Sequence, residues 1–246
     1  SASMTLITDY FMNIDLGREC IPSFIDIDND GDYDMFLGDG NGRIWYYRND
    51  GSAQQYNFTI VTSQYAGINL GEVCSPTFID IDNDNDFDLF VGERSFSEDY
   101  RRGDIDFYQN IGTADSAVFE LVTQNFLTID IGNQPYPCFV DINNDGLKDM
   151  FLGDTDGNIN YFSNIGIAEN PVFSLETERF QNIAANYQSR PDFGDLDADG
   201  DYDMVVGRSG WNSDAVDLYV NNGDPQNPDL QLYQTITFDY DWPAPR

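Results

Sequence analysis

The sequence predicts an all-β fold of four repeats, each a four-stranded blade, and three observations predict it. A nine-residue acidic phrase occurs four times, its copies are almost evenly spaced, and the same order of short apolar runs and turns follows each copy. The phrase reads Asp26-Ile27-Asp28-Asn29-Asp30-Gly31-Asp32-Tyr33-Asp34, then Asp80-Ile81-Asp82-Asn83-Asp84-Asn85-Asp86-Phe87-Asp88. It returns as Asp141-Ile142-Asn143-Asn144-Asp145-Gly146-Leu147-Lys148-Asp149 and as Asp195-Leu196-Asp197-Ala198-Asp199-Gly200-Asp201-Tyr202-Asp203. The first positions lie 54, 61 and 54 residues apart. A repeat of this length marks one structural unit copied and packed side by side.

The elements of one unit follow in order. A Pro and an aromatic open it, as in Pro22-Ser23-Phe24, Pro76-Thr77-Phe78, Pro137-Cys138-Phe139 and Pro191-Asp192-Phe193. This first strand runs into the acidic loop. The last Asp of the loop opens a second strand, Met35-Phe36-Leu37-Gly38 and its counterparts from Leu89, Met150 and Met204. Such short apolar runs bounded by turn residues suit strands buried on both faces. A third strand alternates, as in Arg43-Ile44-Trp45-Tyr46-Tyr47, and ends at an Asn followed by Gly, as in Asn49-Asp50-Gly51 and Asn222-Gly223. A fourth strand closes the unit, at Phe58–Thr62, Phe119–Thr123, Phe173–Thr177 and from Leu230. Four antiparallel strands per repeat, with Gly and aromatics at fixed places, describe a β-propeller-type array. The units fall at about 20–65, 74–126, 135–180 and 189–238 of a single propeller-like domain. Residues 1–19 supply an extra outer strand and a connection, because Met4–Phe11 repeats the pattern of Phe58–Tyr65.

The loops call for a metal. Five carboxylates within nine residues repel one another unless a cation stands among them. Side chains at positions 1, 3 and 5 converge, position 7 can offer its backbone carbonyl, and position 9 closes the shell. Ca²⁺ takes six to eight oxygens at flexible geometry and fits this set, whereas Mg²⁺ keeps waters in a strict octahedron. Zn²⁺ is disfavoured, since the chain has no His and its Cys lie outside the loops. The candidate ligands are therefore Asp26, Asp28, Asp30, Asp32 and Asp34; Asp80, Asp82, Asp84, Asp86 and Asp88; Asp141, Asn143, Asp145, Leu147 and Asp149; and Asp195, Asp197, Asp199, Asp201 and Asp203. They make about four calcium sites. The third is expected to be the weakest, because Asn143 keeps an oxygen and loses a charge.

Composition narrows the partners. The 246 residues carry a net charge of −33, and the loops hold 18 of the 44 acidic residues. Four Ca²⁺ would leave about −25, so the remaining surface is acidic too. Such a surface repels nucleic acid and anionic lipid. No apolar run reaches the length of a membrane helix, so membrane insertion is not expected. Ser1-Ala2-Ser3 fits the end left by a removed signal peptide. Of the three Cys, Cys20 and Cys74 occupy equivalent positions; they read as small core residues, with a Cys20–Cys74 bridge the alternative.

The loop followed by an apolar strand and Gly resembles the FG-GAP (integrin-α-type, VCBS-like) calcium-binding propeller repeat. The fuller phrase Phe139-Val140-Asp141-Ile142-Asn143-Asn144-Asp145-Gly146, then Asp149-Met150-Phe151-Leu152-Gly153-Asp154, Asn164-Ile165-Gly166 and Asn170-Pro171-Val172-Phe173, is similar to bacterial surface and secreted versions. The resemblance covers nearly all of residues 20–235. It implies a calcium-braced propeller in an extracellular place, and no particular ligand. Members usually close with about seven blades, whereas this chain holds four units.

Two insertions interrupt the pattern. One, Glu93–Gly103, includes Tyr100, Arg101 and Arg102; the other, Arg208–Ala215, includes Trp211. Arg and aromatics on long loops are what binding sites use, so these four are candidate partner contacts. Arg102-Gly103-Asp104 also spells an integrin-binding tripeptide, which arises readily by chance in a polar loop. Both insertions join second to third strands and should lie opposite the metal loops. Without His, Ser-His-Asp and Cys-His catalysis are excluded. The expected function is non-enzymatic calcium-dependent adhesion, recognition or surface assembly, with a protein or glycan outside the cell as partner. The alternatives are a filament subunit that exchanges strands with copies of itself, a lectin-like glycan binder, and a carbohydrate-active enzyme using an acidic pair.

Overall fold

A computed structural model describes residues 11–17, 19–94, 103–124, 126, 134–185, 187–209 and 214–238. Sixteen strands form four antiparallel sheets of four. The first blade is β1 (Cys20–Ile25), β2 (Asp34–Asp39), β3 (Ile44–Asn49) and β4 (Phe58–Thr62). The second is β5 (Cys74–Ile79), β6 (Asp88–Arg94), β7 (Gly103–Asn110) and β8 (Phe119–Thr123). The third is β9 (Tyr136–Val140), β10 (Asp149–Gly153), β11 (Ile159–Asn164) and β12 (Phe173–Thr177). The fourth is β13 (Ser189–Gly194), β14 (Asp203–Arg208), β15 (Asp214–Asn221) and β16 (Leu230–Phe238). In every blade the strands pair in sequence order. The expected all-β blade architecture is therefore observed. Helix among the described residues amounts to three 3-10 turns, Phe11–Asn13, Tyr65–Gly67 and Phe180–Asn182. No helix there is long and apolar enough to cross a membrane.

The second strands are the cores of their blades. Every residue of β2 and β10 is buried, which is why their sequences lack alternation. The register is the same in the first, second and fourth blades: Phe24 faces Met35, Phe78 faces Leu89 and Phe193 faces Met204. The third and fourth strands share a bulge, at Tyr46/Tyr47, Phe107/Tyr108, Tyr161/Phe162 and Leu218/Tyr219. A repeated bulge turns each outer strand by the same amount.

The chain divides into two compact units within β9, between Pro137 and Cys138. In the first, Phe36 stacks on Tyr46 at 4.7 Å and meets Phe78 of the next blade at 4.5 Å. Gly38 makes this approach possible, since a Cβ there would lie 2.1 Å from the carbonyl oxygen of Cys74. In the second unit Phe151 stacks on Tyr161 at 4.8 Å and meets Phe193 at 4.6 Å. Gly153 repeats the role of Gly38 against the Ser189 carbonyl.

The cysteines depart in part from expectation. Cys74 and Cys138 are buried, but Cys20 is exposed. Cys74 is covered by the preceding blade, and its thiol donates to the Arg43 carbonyl at 3.3 Å. The segment Met4–Tyr10, expected as a strand, lies outside the described residues. Phe11 begins a 3-10 turn, as Tyr65 and Phe180 do after β4 and β12. The insertions leave β6 at Arg94 and β14 at Arg208, the strand ends opposite Asp88 and Asp203. Each insertion therefore springs from the end of its blade away from the acidic loop.

Candidate metal centres in the interstrand loops

Each acidic loop joins the first and second strands of a blade, and its own carboxylates shape it. The position-1 Asp accepts two backbone N–H bonds: Asp26 Oδ1 from Asp30 at 3.0 Å and Oδ2 from Gly31 at 3.0 Å. Asp80, Asp141 and Asp195 do the same from the matching residues. The position-5 Asp then accepts from the N–H of position 7, as Asp30 does from Asp32 at 3.1 Å. Position 6 is left-handed throughout, with Gly31 at φ 94°, Gly146 at φ 90°, Gly200 at φ 98° and Asn85 at φ 71°. Position 4 is left-handed as well, at Asn29, Asn83, Asn144 and Ala198. The sequence pattern gave no sign of this at Ala198, a residue with no polar side chain to compensate.

These turns aim oxygens at a common point. Oxygens of Asp26, Asp28 and Asp30 lie within 4.8 Å of one another, as do those of Asp80, Asp82 and Asp84, and of Asp195, Asp197 and Asp203. The third loop yields no such carboxylate triplet among the described residues. There Asn143 Oδ1 instead accepts from the Asp145 N–H at 3.0 Å.

Buried oxygens without a hydrogen-bond partner test whether a cation fits. They include Asp28 Oδ1 and Asp32 Oδ1 in the first loop. The second loop has Asp82 Oδ1, Asp86 Oδ1 and Asp88 Oδ2, and the fourth has Asp201 Oδ1. Acceptors in this state are costly unless a cation satisfies them. Burial, followed by the charge of Asp30 and Asp26, raises the pKa of Asp28; burial and then Asp84 do the same for Asp82. The residues thus fit a hard, oxygen-binding metal ion in the first, second and fourth loops. The position-7 residues Asp32, Asp86 and Asp201, for which the sequence reading counted a backbone carbonyl, have buried side chains as well. Leu147 stands at this place in the third loop and brings no carboxylate.

Position 9 also braces the blade, besides the place of Asp203 in its triplet. Asp34, Asp88, Asp149 and Asp203 are almost completely buried. Each holds the end of the third strand through a backbone N–H, as Asp149 does from Asn164 at 2.8 Å. The second oxygens of Asp34 and Asp149 are taken by Tyr46 and Tyr161 hydroxyls. Burial raises the pKa of Asp34 and Asp149 to about 6 and of Asp88 to about 7.

Between the first two loops a cleft of about 340 Å³ is lined by Asp26, Asn29, Asp80, Asn85, Phe87 and Ala114. Tyr100, Arg101, Arg102 and Trp211, the candidate partner contacts, lie outside the described residues.

Four-stranded blades, each with a carboxylate loop between its first and second strands, define a repeat protein of the propeller class. The profile of the FG-GAP-like repeat matches residues 26–91 and 141–206. Each match runs from the first Asp of one loop into the second strand of the next blade, and together they span more than half the chain. The protein belongs to the FG-GAP-like repeat family. No match is found among curated proteins.

Proposed function

We propose that this chain is an extracellular, non-enzymatic calcium-binding module that serves adhesion, recognition or surface assembly. The convergence of three carboxylate triplets, each in a loop between the first and second strands of a blade, carries the reading. Calcium is the fitting ion because the donors are all oxygens, are crowded, and include carboxylates buried without partners. Bound there, it would neutralise the loop and lock the first strand of a blade to the second. Extracellular calcium is abundant enough to fill sites of modest affinity, and the acidic surface suits such a medium. Recognition is supported by the cleft between the first two loops, where Phe87 offers an apolar face beside the amides of Asn29 and Asn85. A glycan or an extended protein segment matches that combination.

Calorimetric titration of calcium into chelator-treated protein tests the reading. The expected result is saturable binding with a raised melting temperature, since a ligand of the folded state stabilises by about 2.7 kcal/mol at a hundred times its Kd. Absence of both binding and thermal shift would overturn it.

A further inference from the structure

The two compact units each join their blades in the same way. In the first unit blade one offers Phe36, Tyr46 and, from the turn after β4, Tyr65. Blade two fills the face with Phe78, and with Phe119 at 5.9 Å from Tyr65. In the second unit blade three offers Phe151, Tyr161 and Phe180, and blade four fills it with Phe193 and Leu230.

Blade four presents the same face with its contents reduced. Val205 and Leu218 stand where Phe36 and Tyr46 stand in blade one. Its last strand runs on for nine residues, where the earlier fourth strands have five. Among the described residues no turn after β16 brings an aromatic back onto the face. What results is a mostly apolar groove of about 390 Å³ whose lining includes Leu196, Leu218, Val220 and Tyr233 together with Asp197, Asn222 and Gln231. A Cβ on Gly207, the counterpart of Gly38, would meet nothing nearer than 3.7 Å. The space that admits a neighbouring strand at Gly38 is open at Gly207.

Blade one carries the matching projection. Phe24 is the counterpart of Phe78 and Phe193, and it is 48% exposed. It lies 6.3 Å from Phe58, the counterpart of Phe119. Phe11 lies 6.3 Å from Phe58, on a 3-10 turn whose left-handed Met12 matches Ala66 and Gln181. Phe11 thus stands to Phe58 as Tyr65 stands to Phe119. Among the described residues blade four has no counterpart to it.

We infer that the chain associates head to tail, the Phe11, Phe24 and Phe58 face of one copy seating in the Leu196, Leu218 and Val220 groove of the next. A second copy is the fitting occupant because one chain carries both halves of a contact that its own blades already make twice. Such a contact is heterologous, so it propagates unless the rotation closes a ring. The net charge of −33 opposes association, and calcium and salt therefore promote it. The inference gives the assembly part of the proposed function a surface, and calcium binding measured on the same samples tells failure of one from failure of the other.

Sedimentation velocity over a concentration series, with calcium and physiological salt, tests it. Wild-type mass should rise with concentration. Phe24→Gln and Tyr233→Gln should each weaken association about tenfold or more, as expected for one buried side chain. Both side chains are exposed and both changes keep the charge. Mixed together, the two variants should form pairs that stop at two, because one retains its groove and the other its projection. Should Phe24→Gln unfold, as read by its calcium-dependent melting, Tyr56→Gln replaces it; Tyr56 is 60% exposed and 5.4 Å from Phe58. A wild type that stays monomeric, variants that associate like wild type, or a mixture that stays monomeric would each overturn the inference.

Discussion

The backbone N–H of Asn49 donates to Oδ1 of Asp34 at 2.7 Å, and this bond ties the end of a metal loop to the end of the third strand. The Asn side chain carries the link onward. Asn49 Oδ1 accepts from Gly51 and Asn57, and Asn164 Oδ1 accepts from Gly166 and Val172, so one amide oxygen shapes the turn into the fourth strand. Asn164→Ala should therefore cost about 1–3 kcal/mol by leaving two backbone donors without an acceptor. Chemical denaturation measures the loss. Calcium binding at the first two loops should be unchanged.

The loops should differ in calcium affinity. The first, second and fourth offer carboxylate triplets and partnerless oxygens, and the third offers neither. Calorimetry should resolve three tighter sites. Asp28→Ala should remove one of them and lower the melting temperature, whereas Asn143→Ala should leave the three in place. Equal losses from both substitutions would contradict this order.

Ala198 sits at φ 65°, where the other loops place Asn. A left-handed L-residue without a short polar side chain carries about 1–2 kcal/mol of strain. Ala198→Asn should raise stability by about 0.5–1 kcal/mol, since Asn retains part of that strain. Asn29→Ala should lower it by a similar amount, and parallel denaturant melts compare the two.

Gly38→Ala should be among the most damaging single-methyl changes. The added Cβ would lie 2.1 Å from the Cys74 carbonyl, which belongs to a strand held in register along its length. Overpacking of this kind costs about 1–3 kcal/mol or more. Gly207→Ala, whose added Cβ would meet its nearest neighbour at an ordinary contact distance of 3.7 Å, should be mild in dilute protein.

Glu93 and Asp106, on the adjacent strands β6 and β7, are acids outside the metal loops. Burial, then the charge of Asp106, raises the Glu93 pKa to about 7; burial raises that of Asp106 to about 6. Raised folded-state values mean that the folded protein favours the protonated acids. The stability they contribute is complete below their ordinary values and is lost as pH rises through about 6 to 7. Glu93→Gln should accordingly raise the melting temperature at pH 8 and flatten its fall between about pH 5 and 8. An unchanged pH profile in the variant would refute the assignment.

Much of this architecture was legible because the repeats report on one another. Asp at loop positions 1 and 5 can be read locally, since its hydrogen bonds close within five residues. The second strands read as buried because β2 and β10 are apolar at nearly every position. Other features depend on partners far along the chain. Asp34 looks like a ligand in sequence, yet its oxygens are engaged by Asn49 and Tyr46. Asp32 reads in sequence as a ligand through its backbone carbonyl, yet its carboxylate is buried with one oxygen lacking a hydrogen-bond partner. The 3-10 turns at Tyr65 and Phe180 have no local signature beyond an aromatic after a strand, and tertiary stacking on Phe36 and Phe151 holds them.

The sequence by itself determined the all-β class, the number of blades, the strand order and the places of the oxygen-rich loops. These follow from short-range patterning, from turn chemistry at Asn and Gly, and from repulsion among crowded carboxylates. Only the tertiary structure decided which carboxylates remain without protein partners, why Gly38 and Gly153 must lack a side chain, and why Phe78 is covered while Phe24 is exposed. Phe78 and Phe24 occupy the same place in their repeats. Their difference arises because burial belongs to the neighbouring blade, and a repeat cannot encode its neighbour.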